Sequence, residues 1–165
     1  MQELLKELMS ILSKELAALE KMVAAAEKQN AALRKNSTDS LNEAARELES
    51  LARQIEELKA ARTRVQENME RACGLPPGVP LVDLFAAMPP VSGREEALNV
   101  VTDLREKARK LAELVRLNNL LAQNALRFCE RLLKVIAPVP AAKTYLPDGA
   151  MNKSNIGLSL IDKSV

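Results

Sequence analysis

The chain has 165 residues, a formal net charge of +2, 28% charged and 47% hydrophobic residues, two cysteines, no histidine, one tyrosine and two phenylalanines. That length is enough for one domain with a sizeable core. Charges of both signs interleave and aromatics are scarce, which excludes the clustered basic face or stacking platform of a nucleic-acid-binding protein, and no apolar run approaches a membrane span.

Ala, Leu, Glu, Lys and Arg dominate, the side chains that lose little rotamer freedom in a helix. No glycine or proline occurs between Met1 and Cys73 or between Arg94 and Ala137, so the breakers divide the chain into helical blocks, a connector and a tail. The expectation is an all-α fold: an elongated antiparallel bundle of three long helices and one short capping helix over residues 1–137, then a flexible, proline-containing tail over 138–165.

The first helix is expected over 2–35. Leu5, Leu8, Leu12, Leu16, Leu19, Val23, Ala26, Asn30 and Leu33 recur along it at steps of three or four. It breaks at "RKNSTDS", where Asn36 to Ser40 are five poor helix formers whose side chains compete for nearby backbone. The second helix, 39–73, carries Leu41, Ala44, Leu48, Leu51, Ile55, Leu58, Arg62, Val65 and Met69, a packing seam of period 3.5. Arg62 is its one polar intruder, suited to snorkelling or to pairing with a carboxylate. Both helices run to roughly 50 Å, and a short loop between equal helices makes an antiparallel hairpin.

In "GLPPGVPLVDLFAAMPPVSG" two proline clusters bracket one short amphipathic helix, 80–88, with Phe85 as the plug of an end cap. The last helix, 93–137, opens on Ser92 and Glu95, the spacing of a capping box. Its seam runs through Ala97, Val101, Leu104, Ala108, Leu111, Val115, Asn118, Ala122, Ala125, Cys129, Leu132 and Ile136. From Leu114 onward the stretch "LVRLNNLLAQNALRFCERLLKVI" adds apolar residues off that seam, among them Leu117, Leu120, Leu121, Leu126 and Phe128. A helix apolar on most sides is buried on several. Either a second copy covers the excess in a homo-oligomer, or the surface takes another chain's helix.

Catalytic chemistry finds no footing in this pattern. The usual general base is missing, there is no glycine-rich phosphate loop, and Glu56, Glu57, Glu95 and Glu96 read as solvated surface. Cys73 and Cys129 lack metal-ligand spacing and read as free thiols in a reducing compartment, so no cofactor or metal is expected and the cytoplasm is the expected location. The start, "MQELLKELMS", lacks the layout of a signal peptide.

Three stretches together resemble the flagellar type III export chaperones of the FlgN family: the Leu/Glu-rich "LSKELAALEKMVAAAEKQNAAL", the "LVRLNNLLAQNALRFCERLLKVI" helix, and "KTYLPDGAMN". In the second, Leu114, Asn118, Leu121 and Leu126 match the family's LNxxNxxLLxxxL pattern, while Val115 stands at a common asparagine and Ala122 at a larger apolar residue. In the third, Tyr145, Asp148 and Gly149 match a Tyr, three residues and a Gly preceded by Asp. The resemblance implies a cytoplasmic chaperone of the hook-associated proteins FlgK and FlgL, holding their C-terminal helical segments on the last helix and tail. It implies Tyr145, with Asp148 and Gly149, as the docking point on the export gate's cytosolic FlhA platform. A tyrosine folding back onto its own bundle, and an oligomeric coiled-coil scaffold without a client, are the alternatives from residues alone.

Overall fold

The computed structural model describes residues 1–90 and 92–136. It contains α1 (Gln2–Lys35), α2 (Thr38–Cys73), α3 (Leu81–Ala87) and α4 (Arg94–Ile136), with no strand among the described residues. The fold is all-α, three long helices and a short one, as the breaker pattern implies.

The helix ends follow from local chemistry. Asn36 closes α1 in the left-handed region, φ 53°, a conformation asparagine tolerates better than most residues, and the Ser37 N–H turns back to the Ala32 carbonyl at 3.0 Å. Gly74 ends α2 the same way at φ 69°, with the Leu75 N–H on the Glu70 carbonyl. The expected capping box is displaced. α4 begins at Arg94, and the Ala97 N–H bonds to the Gly93 carbonyl, so Gly93 rather than Ser92 holds the cap position.

The chain divides into two units after Gln123. In the first, α1 and α2 run antiparallel, as the cross-links Lys28–Glu47 and Arg62–Glu15 require. α4 runs parallel to α1, because Lys107 and Lys110 pair with Glu20 and Glu27 in rising order. The apolar core sits where α1 begins and α2 ends. Leu5, Leu8 and Leu12 of α1 meet Val65 and Met69 of α2, Leu84 and Phe85 of α3, and Ala97, Val101 and Leu104 of α4. Phe85 is wholly buried there, so α3 does close this end with its apolar side.

A carboxylate holds the cap in place. Glu70, 1% exposed, accepts hydrogen bonds from the N–H groups of Gly78 and Val79 at 3.1 Å and from Gln66 Nε2 at 2.8 Å. A carboxylate in the last turn of a helix opposes the macrodipole. Here three donors converge on it and offset that cost, tying the connector to α2.

The last helix departs from its expected seam. Ala97, Val101 and Leu104 are buried, but Ala108 and Val115 are exposed, Leu111 and Ala122 are half-buried, and Asn118 is the only buried residue of α4 after Leu104. The second unit starts at Asn124, and its described part is the final turns of α4. Every residue from Asn124 to Ile136 is exposed, including the seam positions Ala125, Cys129, Leu132 and Ile136. The seam reading assumed a partner along the whole helix, and among the described residues these turns have none.

Candidate functional site

The residues expected to bind a client fall into distinct environments. Leu114 and Leu121 are half-buried, Leu117 is exposed, and Leu120 is 55% exposed. Leu117 and Leu120 line a shallow recess of about 320 Å³ with Arg116, Asn119 and Gln123. In the second unit, Leu126 is exposed and Phe128 is 61% exposed, accompanied by Leu132, Leu133, Val135 and Ile136. Large apolar side chains in water on this scale mark interaction surfaces more often than ordinary monomer surface.

Asn118 belongs elsewhere. Only 3% exposed, it faces α1 and not solvent. Its Nδ2 donates to the Ala26 carbonyl and to Gln29 Oε1, both at 2.9 Å, and its Oδ1 accepts from Asn30 Nδ2 at 2.7 Å. The backbone carbonyl can only accept, so the amide's orientation is fixed by its partners. A client could not reach this side chain without breaking α4 away from α1. The signal for the pairing lay in the sequence: Asn30 and Asn118 are the two asparagines set into otherwise apolar seams.

One titrating group lies inside the first unit. Glu15 is 5% exposed on the inner side of α1, and Arg62 reaches it at 3.4 Å. Burial pushes the Glu15 carboxyl above its ordinary value, and the charges of Arg62 and Lys59 oppose that rise. Arg62 is thus the carboxylate's partner, one of the two roles expected of it, while its buried partner escaped a seam that recorded only apolar positions.

Among the described residues no group of three or more acidic, cysteine or histidine side chains is placed to hold a metal ion. No described helix is long and apolar enough to cross a membrane. Both cysteines are free, Cys73 half-buried and Cys129 exposed. Tyr145, Asp148 and Gly149 lie outside the described residues.

An all-α bundle closed at one end by a short helix, with large apolar side chains displayed along its last helix, defines a class of helical protein built around its surface. The chain belongs to the FlgN family, the flagellar export chaperones: the family model described as FlgN protein matches residues 1–153, a span that includes Tyr145, Asp148 and Gly149. No curated protein and no solved structure matches the chain.

Proposed function

We propose that this FlgN-family chaperone captures the C-terminal helical segments of hook-associated proteins of the FlgK and FlgL type in the cytoplasm, keeps them from assembling early, and delivers them to the export gate. The observation that carries the reading is the exposure of Leu117, Leu120, Leu126 and Phe128 on α4. An amphipathic client helix, with anchors at i, i+3, i+4 and i+7, is suited to cover such side chains in each unit. At about 25 cal/mol per Å², covering several hundred Å² of apolar surface yields several kcal/mol before the costs of ordering, which suits a complex that the gate must take apart.

Leu114 and Leu121, already half-buried, support the client face from beneath, and Asn118 acts by holding α4 on α1. Tyr145 serves a different partner, the FlhA-type cytosolic platform of the gate. A phenol offers a large apolar face, one hydroxyl and few torsions to freeze. Asp148 and Gly149 shape the turn after it: in "LPDG", proline stands at the second position and glycine at the fourth.

Size-exclusion chromatography with light scattering tests the capture step. The chain is run alone and with a purified C-terminal segment of a FlgK-type protein. A defined hetero-complex is expected. A stable homo-oligomer that excludes the segment would replace the chaperone reading with a self-assembling scaffold.

A further inference from the structure

The buried amide on α4 has a consequence for which leucines the helix displays. At about 100° per residue, Leu111, Leu114, Leu121 and Ala122 project within about 60° of the direction of Asn118, while Leu117 and Leu120 project about 100° and 160° away. The first four are half-buried and the last two are exposed. Apolar burial alone leaves a second arrangement open. Leu114, Leu117 and Leu121 are spaced three and four apart, a stripe centred roughly 70° round from Asn118. Turning that stripe to α1 would bury Leu117 and keep Leu114 and Leu121 covered, would turn Leu111 and Ala122 outward, and would carry the amide to the flank. Spread along the residues between Leu104 and Asn118, the roll is about 5° per residue, small against the scatter of about 15–20° in the dihedrals of real helices.

The geometry points to Asn118 as the rotational key of α4: its three hydrogen bonds to Ala26, Gln29 and Asn30 hold the helix in the orientation that keeps Leu117 and Leu120 outward, against the roll that would bury Leu117. The key fits only one orientation. Ala26, Gln29 and Asn30 lie at i, i+3 and i+4 on one face of α1, and together they use both N–H groups and the oxygen of the amide. Any rotation breaks all three bonds at once. No buried side-chain nitrogen or oxygen among the described residues lacks a partner, so the present orientation leaves no polar group unsatisfied. A single buried asparagine fixing the register of packed helices is a well-attested use of a polar core residue. Asn118 is therefore a positioning residue. Its functional consequence, though not the key itself, rests on the proposal that Leu117 and Leu120 meet the client.

Thiol labelling reads the roll directly. In a background with Cys73→Ala and Cys129→Ala, Leu117→Cys and Ala122→Cys serve as separate reporters toward a maleimide dye. Cysteine is itself a small hydrophobe, so the reporter at 117 keeps part of the stripe. With Asn118 present, Leu117→Cys labels quickly and Ala122→Cys slowly. Adding Asn118→Ala should slow the first and quicken the second, each by about tenfold, the change that about 1.4 kcal/mol of altered burial produces. Asn30→Ala removes the key from the α1 side, and Asn118→Asp keeps its size but sets an oxygen against the Ala26 carbonyl; both should act in the same direction. The unfolding midpoint should change little, because the core around Leu5, Phe85 and Leu104 is remote and Leu117 is covered where Leu111 and Ala122 are uncovered. Quickening at both reporters would mean that α4 merely loosens, and no change at either would mean that the amide sets nothing; each overturns the key. Affinity for the FlgK-type segment is measured on the same Asn118→Ala protein and should fall about tenfold. If the reporters show the roll and that affinity is unchanged, the key stands and the client face at Leu117 and Leu120 falls.

Discussion

The Glu15–Arg62 pair makes two substitutions unequal although they remove the same contact. Glu15 is almost completely buried, whereas Arg62 keeps 29% of its side chain in water. Replacing Arg62 by Met strands a carboxylate inside the bundle. Stranding one member of a fully buried pair costs about 3–5 kcal/mol; Arg62's partial exposure and the freedom of Glu15 to take up a proton bring the expected loss to about 2–3 kcal/mol. Replacing Glu15 by Leu instead removes the charge that had to be desolvated, and Arg62 turns to solvent. Exchange of a buried ion for a hydrophobe of similar volume is commonly neutral or stabilising by about 1–2 kcal/mol. The pH dependence sharpens the contrast. The folded carboxyl titrates above its ordinary 4.5 because burial disfavours the charged form, so the folded state binds more protons than the unfolded one in the window above that value. Glu15's contribution is complete below the unfolded pKa and is lost as pH rises through the folded one. Removing Arg62 takes away a charge that lowers this pKa, so the decline in Arg62→Met should extend to higher pH, and in Glu15→Leu it should vanish. Urea unfolding followed by far-UV circular dichroism, from mildly acidic to mildly alkaline pH, reads both effects. Equal losses in the two variants with parallel pH profiles would refute the reasoning, since they would mean that the pair stabilises as an ordinary charged contact.

Two further outcomes follow from the same geometry, and a third from the proposed role of Tyr145. Glu70→Ala leaves the Gly78 and Val79 N–H groups without their acceptor; a loss of about 2 kcal/mol is expected in chemical unfolding, with faster proteolysis in the connector between residues 75 and 90. Phe85→Ala empties the capped end of the core and should cost about 3–5 kcal/mol, seen as a lower thermal midpoint. Tyr145→Ala should weaken binding to the gate's cytosolic domain by about 2 kcal/mol or more and leave client affinity unchanged, measured by paired titrations; equal loss in both would remove the separation of roles.

The helices were legible because their punctuation is chemical: Asn36 and Gly74 take the left-handed conformation that ends α1 and α2, and the prolines around α3 permit only a short turn of helix. The seam of α2 was legible for the same reason, since each of its positions from Leu41 to Met69 is buried or half-buried. The seam of α4 was legible without a break only as far as Leu104; beyond it Leu111, Asn118 and Ala122 are still covered, while Ala108, Val115 and every seam position from Ala125 are exposed. A heptad pattern records which side chains could pack, not whether a partner faces them, and opposite Asn118 α1 offers Ala26, Gln29 and Asn30 in place of leucines. Glu15 and Glu70 escaped because a lone carboxylate among leucines looks like any surface glutamate until its cation or its backbone donors arrive from distant positions. For the candidate site, the matched pattern joined residues with different surroundings: Leu120 and Phe128 are exposed, while Asn118 is fixed against α1.

The central claim is that exposed leucine and phenylalanine side chains of α4 hold the client, and isothermal titration of the FlgK-type C-terminal segment into the chain tests it most directly. The comparison is wild type against Leu120→Asp and Phe128→Asp, each checked for unchanged helicity and unfolding midpoint. Both side chains are largely in solvent already, so the substitutions should leave the fold intact. Each should weaken the complex by about 2 kcal/mol, roughly thirtyfold in Kd, because a carboxylate would be desolvated where an apolar anchor sat. Wild-type affinity in both variants, with the fold unchanged, would contradict the account.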